Sequence, residues 1–332
     1  FWLKPLSVHH CVLTLSTQLF AEIFFVSGLA AKIMGCSCAK STAVEAAHLQ
    51  PSSDGGASAS KKGKQQKKAP AVPAAVVAKK VAQASSTRVL ALRDCGLKQL
   101  PSEATDAEKM SALRTADLSG NSLKSLTEAC SVWTGLQTLL CSDNLLSELP
   151  TGLGKLVSLQ KLELSRNQLR IIPVELGQLG KLKTLQLDSN SLAKNALPDD
   201  TFRGPLSESL EELDLSSNAL EELPSSLGEL KCLQRLIVAQ NRLSALPGPI
   251  GRLSKLQHLD AADNQIPALP DNFLLGLTAL SELWLKGNPM DRLKLQELPG
   301  FDSFLERRKQ RLDAKIEANV VGRVDLTVCG LD

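Results

Sequence analysis

From residue 87 onward the apolar positions of this chain fall into one pattern, L-x-x-L-x-L-x-x-N-x-L-x-x-L-P, repeated nine times. The stretches "LQKLELSRNQLRIIP", "LEELDLSSNALEELP" and "LQRLIVAQNRLSALP" carry it most fully. Its asparagine place is filled by Cys95, Asn121, Asn144, Asn167, Asn190, Asn218, Asn241, Asn264 and Asn288, at spacings of 26, 23, 23, 23, 28, 23, 23 and 24 residues. A period this regular predicts a stacked array, because one copy cannot bury its own leucines and must share a core with its neighbours.

Each part of the copy has a physical reading. In x-L-x-L-x the leucines alternate, so this segment predicts a short strand with leucines inward and the x residues outward. Neighbouring copies then lie with their strands parallel. Where the chain turns after the strand, an asparagine amide can meet backbone groups of its own turn and the next, having both donors and an acceptor. The "LP" opens a return path on which "SSLGELKCLQRL" supplies a short helical turn. The expected fold class is α/β: a horseshoe solenoid over residues 87–290, with parallel strands on its concave face and about nine repeats.

Two places break the period. Between Asn190 and Asn218, "KNALPDDTFRGPLSES" swells the repeat; it reads as a surface loop, or alternatively as a lip for a partner. After Asn288, Phe301, Phe304, Leu305, Leu312 and Ile316 fall at helical spacing, which predicts a helical cap and tail over 291–332. Within it "ERRKQRLDAKI" reads as a solvated helix.

The central x of each L-x-L points out of the core. Stacking therefore predicts a row of Ala91, Asp117, Leu140, Glu163, Gln186, Asp214, Ile237, Asp260 and Trp284. The eight from Asp117 to Trp284 are the candidate partner-binding residues, with Trp284 as an aromatic anchor. The row is largely acidic, with apolar places at Leu140, Ile237 and Trp284. Ser119, Ser142, Ser165 and Ser216 run beside it, and His258 reads as a surface histidine. Carboxylates on an open face lack the enclosure that acid–base chemistry needs, so no enzyme is expected.

Composition changes the picture in three ways. Aromatic residues make up 3% of the chain and tyrosine is absent, so the core has to be aliphatic. The net charge of +3 includes seven lysines and no acid between residues 55 and 87, which leaves −4 for the rest. A slightly acidic, aromatic-poor repeat region argues against nucleic acid as a partner. Eight cysteines show no metal spacing, so no metal and no cofactor are expected. None of the eleven asparagines begins an N-x-[ST] sequon, which together with the cysteine pattern points to a reducing, cytosolic setting.

The segment "MGCSCAK" begins at Met34. With Met34 as initiator, its removal leaves Gly35 for N-myristoylation, and Cys36 and Cys38 for palmitoylation; Ala39 stands where the motif usually has Ser or Thr. One acyl chain binds membranes only marginally, so a second signal is expected. Besides the cysteines, Lys61, Lys62, Lys64, Lys67 and Lys68 would each contribute about 1 kcal/mol near an anionic leaflet. Residues 34–86 are therefore expected to form a lipid-signal start and a disordered tether, and residues 1–33 to be upstream sequence outside the fold. The competing expectation takes "CVLTLSTQLFAEIFFVSGLAAKI" as a signal segment, which would make this a secreted or cell-surface recognition protein. The last four residues, "CGLD", fit a prenylation box badly at Gly330 and Asp332.

These repeats are leucine-rich repeats, and the "LPxxLGxLxxLxxLxLxxN" flavour resembles plant intracellular Ras-group proteins. Together with the "GNP…LPGFDSFLERR" ending and "RDCGLKQLP" at the first copy, the chain resembles the family of leucine-rich repeat-containing protein 57 and its plant relatives over about residues 88–320. The long lysine tether departs from that family. The resemblance implies a non-enzymatic, membrane-associated adaptor on the cytoplasmic leaflet. A weaker likeness to Ras-pathway scaffolds implies, as an alternative, a regulatory subunit for a phosphatase or small GTPase.

Overall fold

The computed structural model describes residues 72–317 and 329–330. Nine strands of three residues each form one parallel sheet in sequence order: β1 Val89–Ala91, β2 Thr115–Asp117, β3 Thr138–Leu140, β4 Lys161–Glu163, β5 Thr184–Gln186, β6 Glu212–Asp214, β7 Arg235–Ile237, β8 His258–Asp260 and β9 Glu282–Trp284. The middle residue of every strand is buried, as the alternation demands. The leucines enter one continuous core; in the fourth repeat Leu159, Leu162, Leu164 and Leu169 are all 0% exposed. Each such burial stabilises by roughly 1.5–3 kcal/mol, which only stacking can provide.

The return path runs through short 3-10 turns. Pro101, Pro150, Pro173, Pro198, Pro224 and Pro247 each stand just before one, in extended backbone that proline pre-sets. Successive turns pack so closely that glycine is required between some of them. A Cβ on Gly228 would lie 2.3 Å from the Pro249 carbonyl oxygen.

The asparagine ladder forms as the amide chemistry predicts. Asn167 Oδ1 accepts the Leu146 N–H at 3.0 Å, while its Nδ2 donates to the carbonyls of Cys141 and Leu164, both at 2.9 Å. The same set recurs at Asn144, Asn190, Asn218, Asn241 and Asn264. The residue before the ladder position has positive φ in all nine repeats: Asp94, Gly120, Asp143, Arg166, Ser189, Ser217, Gln240, Asp263 and Gly287. Only two of these are glycine, so the stacked hydrogen bonds impose a left-handed turn that most of these side chains disfavour.

Three expectations need correction. Residues 74–86 are not tether: Ala74–Thr87 is a helix, α1, whose Val77, Val81 and Ala84 close the first end of the core. The physical reason is that Leu90 of β1 and Leu92 just after it would otherwise face water, so a weakly amphipathic Ala/Val stretch is recruited as a lid. The swollen repeat is not a plain loop either. It makes two consecutive 3-10 turns, Asp199–Phe202 and Pro205–Glu208, and buries Phe202 and Leu206 completely, because the extra chain needs extra apolar filling. Short helices α2 Ala107–Met110 and α3 Phe273–Gly276 lie on the return path of their repeats.

The C-terminal helices are α4 Arg292–Gln296 and α5 Phe301–Glu317, with Phe301 and Phe304 buried over the last repeat and Leu305 packed against them. Ile316, by contrast, is exposed. The third correction concerns the expected solvated stretch. Arg308 is buried, and Arg307 donates to the carbonyls of Leu280 and Leu277 at 2.9 and 3.3 Å, which ties the helix to the last repeat. Gly35, Cys36, Cys38 and Lys61, Lys62, Lys64, Lys67 and Lys68 lie outside the described residues, as does segment 1–33.

Candidate functional site: the open face of the sheet

Strand register decides which outward side chains meet. Ala91 pairs with Asp117, Asp117 with Leu140, Leu140 with Glu163, Glu163 with Gln186, Gln186 with Asp214, Asp214 with Ile237, Ile237 with Asp260, and Asp260 with Trp284. All eight predicted candidates therefore stand in one unbroken line, each half-buried by its neighbours. Adjacent parallel strands lie about 4.8 Å apart, so neighbouring members are in side-chain reach.

The acidic character is uneven along this line. Lys161 Nζ sits 2.6 Å from Glu163, which largely cancels that carboxylate. Arg166 reaches Asp143 at 3.5 Å. Asp214 accepts from Ser216 N–H at 2.9 Å and from Ser216 Oγ at 2.7 Å, and the Arg235 charge acts on it as well. Burial pushes its carboxyl above the usual range and Asp188 adds to that, while the Ser216 bonds oppose both. Asp188 is itself held by the hydroxyls of Ser165 and Ser189. The serine row thus orients carboxylates, a role the sequence reading did not assign. Asp117 and Asp260 make the same local turn to the N–H groups of Ser119 and Ala262.

At the last strands the face is clamped by the cap. His258 is not a surface histidine: it is 9% exposed, and its Nδ1 lies 2.7 Å from Glu282 Oε2. Glu282 Oε1 in turn meets Arg311 Nε at 3.1 Å, and Arg311 also donates to Ser281 Oγ at 3.0 Å. Helix α5 thereby fixes the end of the sheet beside Trp284. No sequence signal linked His258 to a residue more than fifty positions away; only the fold brings them together.

Other chemistry is limited. Burial holds the Cys130 thiol up at about 12 and pushes Cys141 up as well, so both act as small core side chains. Among the described residues no group of three or more His, Cys, Asp or Glu could hold a metal ion, and no helix is long and apolar enough to cross a membrane. A shallow cleft of about 330 Å³ lies beside the inserted turns, lined by Asn195–Asp199 and Glu222–Pro224.

Leucine rich repeat profiles match residues 134–192 and 209–230 of the chain. Comparison with curated proteins gives no match. Among solved structures, the chain is similar to the leucine-rich-repeat ectodomain of the plant membrane receptor kinase GASSHO1/SCHENGEN3 from Arabidopsis thaliana, which was solved with CASPARIAN STRIP INTEGRITY FACTOR 2. Identity there is 29%, TM-score 0.52, and the match covers 61% of this chain and 24% of that one. It is similar to the Arabidopsis receptor kinase HAESA ectodomain, solved with an IDA peptide hormone, at 30% identity and TM-score 0.50, covering 58% of this chain and 32% of that one. The leucine-rich repeat domain of the type III effector XopL aligns at 23% identity and TM-score 0.58, over 68% of this chain and 79% of that one, a likeness of fold alone. The chain thus spans no more than a third of either receptor ectodomain. With nine parallel rungs, an asparagine ladder and these neighbours, the chain has the leucine-rich-repeat horseshoe fold.

Proposed function

We propose that this chain is a non-enzymatic adaptor that holds a basic protein segment on its open sheet face. In the same reading, acyl chains on Gly35, Cys36 and Cys38, aided by Lys61, Lys62, Lys64, Lys67 and Lys68, tether it to the cytoplasmic leaflet of a membrane. The observation that carries the binding half is the continuous line from Asp117 to Trp284. Its side chains are presented by strands whose leucines are locked in the core, so little ordering cost remains when a partner docks. Asp214 and Asp260 flank Ile237, and Trp284 follows, which suits a segment with basic and apolar side chains in turn. The complexes of GASSHO1/SCHENGEN3 with CASPARIAN STRIP INTEGRITY FACTOR 2 and of HAESA with an IDA peptide hormone support the idea by analogy of fold. A small GTPase or a phosphatase remains the partner class that the Ras-group resemblance adds.

The full chain and a variant carrying Asp214→Lys with Asp260→Lys would be compared in pull-downs from cytosol, with captured proteins quantified by mass spectrometry. Capture of the principal basic partner is expected to fall at least about tenfold in the variant, and to weaken with added salt. Equal capture by both chains would remove the face from the reading.

The membrane half rests on the sequence around Met34 and has its own test. Peptide mass spectrometry of the protein from its own cells is expected to find Gly35 bearing a myristoyl mass. A mature chain cleaved near Ala30, with cysteines in disulfides, would favour the secreted or cell-surface alternative instead.

A further inference from the structure

The outward row alternates strand by strand. Asp117, Glu163, Asp214 and Asp260 stand on β2, β4, β6 and β8, while Leu140, Gln186, Ile237 and Trp284 stand on β3, β5, β7 and β9. A carboxylate therefore recurs every two strands, about 9.6 Å apart, with an uncharged side chain midway. Lys161 cancels Glu163. Among the described residues Asp214 and Asp260 form no ion pair, although the Arg235 charge acts on Asp214. Each carboxylate is held through Oδ1, by Ser216 N–H and by Ala262 N–H. The run Asp214, Ile237, Asp260, Trp284 thus presents two fixed charges and two apolar side chains in turn.

The rows on either side of this run differ in height. Two residues further along their strands stand Ser216, Ala239 and Ala262, turned outward because Leu215, Val238 and Ala261 before them are buried. Their repeats stay in register, with Ser217 N–H donating to Ala239 and Gln240 N–H to Ala262, both at 2.9 Å. On the other side stand the longer Glu212, Arg235, His258 and Glu282, the last two bonded to each other. The small row leaves a shelf beside the run, with room for a partner backbone as thick as a helix, about 10 Å across.

Spacing decides which backbone fits. In an α-helix the residues i, i+3, i+7 and i+10 share one face at about 0, 4.5, 10.5 and 15 Å, against about 0, 4.8, 9.6 and 14.4 Å for the four strands. A β-strand repeats one face about every 6.7 Å and loses register by the second strand. A polyproline II helix repeats every third residue, about 9.3 Å, which meets both carboxylates but puts nothing over Ile237. The helix is the backbone that serves all four positions.

We infer that the run from Asp214 to Trp284 binds an amphipathic α-helix of a partner protein, laid across the strands. Its basic side chains at i and i+7 meet Asp214 and Asp260, and its apolar ones at i+3 and i+10 meet Ile237 and Trp284. This rests on the proposed role of the open face, and adds the conformation and register of what it holds.

The test measures binding of three labelled synthetic peptides to the full chain by fluorescence anisotropy. The first is an alanine-rich helix with lysine at i and i+7 and leucine at i+3 and i+10. The second has the same composition with its leucines moved to the opposite face, and the third is a proline-rich peptide with lysine at every third residue. The first is expected to bind at least about tenfold more tightly than either of the others. Asp214→Lys with Asp260→Lys should weaken it at least about tenfold, and Ala239→Trp, which fills the shelf and leaves the charges alone, at least about fivefold. Equal binding of the first two peptides to the parent chain would overturn the register, whatever the variants do. Tighter binding of the third peptide, lost in the double lysine variant, would overturn the helix and leave the proposed face standing. Equal binding of every peptide to the parent and to the double lysine variant would remove both.

Discussion

Asn167→Asp is expected to destabilise the solenoid by about 4 kcal/mol, more than Asn167→Ala at about 3 kcal/mol, although aspartate has the same shape as asparagine. In the folded chain the Asn167 amide is 7% exposed and serves four backbone partners in two repeats. Alanine leaves the buried Leu146 N–H without a partner, at about 1–3 kcal/mol, and takes one donor each from the Cys141 and Leu164 carbonyls, which keep Asn144 Nδ2 and Asn190 Nδ2. Aspartate still accepts from Leu146, but its second oxygen faces the two carbonyls where a donor is needed. It must either bury a charge against their lone pairs or take up a proton. Gln168→Ala, one residue along and exposed, should change stability by less than about 0.5 kcal/mol. Urea denaturation of the three variants, with amide exchange at Leu146 as the local probe, measures this order. If Asn167→Asp matched Gln168→Ala, the ladder would be decoration rather than support.

Val81→Asp is expected to cost about 3 kcal/mol or more and to loosen the first repeat before the rest. Val81 is 2% exposed beneath α1, with Val77 one turn before it and Ala84 nearly one turn after. The change loses the burial of the valine and places a carboxylate in the apolar end of the core that α1 shares with β1. Because each repeat contacts only its neighbours, the loss starts at that end and propagates inward. Amide exchange at Leu92, whose N–H bonds Asp117, should accelerate well before exchange at Leu187. Val76→Asp on the exposed side of the same helix is the control, with an expected change under about 0.5 kcal/mol. Equal effects of the two substitutions would mean that α1 does not seal the core.

The ladder also accounts for the one repeat that departs from it. Cys95 occupies the asparagine place in the first copy, where no earlier repeat offers an N–H and a carbonyl to be served. Its own N–H is met by Asn121 Oδ1 at 3.1 Å, and its thiol needs only the Arg93 carbonyl and Lys80 nearby. A thiol suffices at the end of the stack; inside it, an amide is needed.

What the sequence by itself determined was everything that repeats. The period, the inward leucines, the parallel strands, the turns after proline and the outward row from Asp117 to Trp284 all follow from residue type at fixed spacing, since the same local chemistry is met again in each copy. Tertiary structure decided what happens once. Val77, Val81 and Ala84 carry too weak an apolar stripe to announce a cap, and become one because the first strand must be covered. Phe202 looked like part of a loop until the longer repeat had space to fill. Glu163 counted as an acid of the face until Lys161 was seen against it, and His258 as a surface residue until Glu282 and Arg311 closed over it. Arg307 and Arg311 act on groups that only the folded chain brings near, at the last repeat. Periodic contacts are local in pattern and can be read along the chain. End effects depend on which surfaces and backbone groups stacking leaves open, and those exist only once the stack is built.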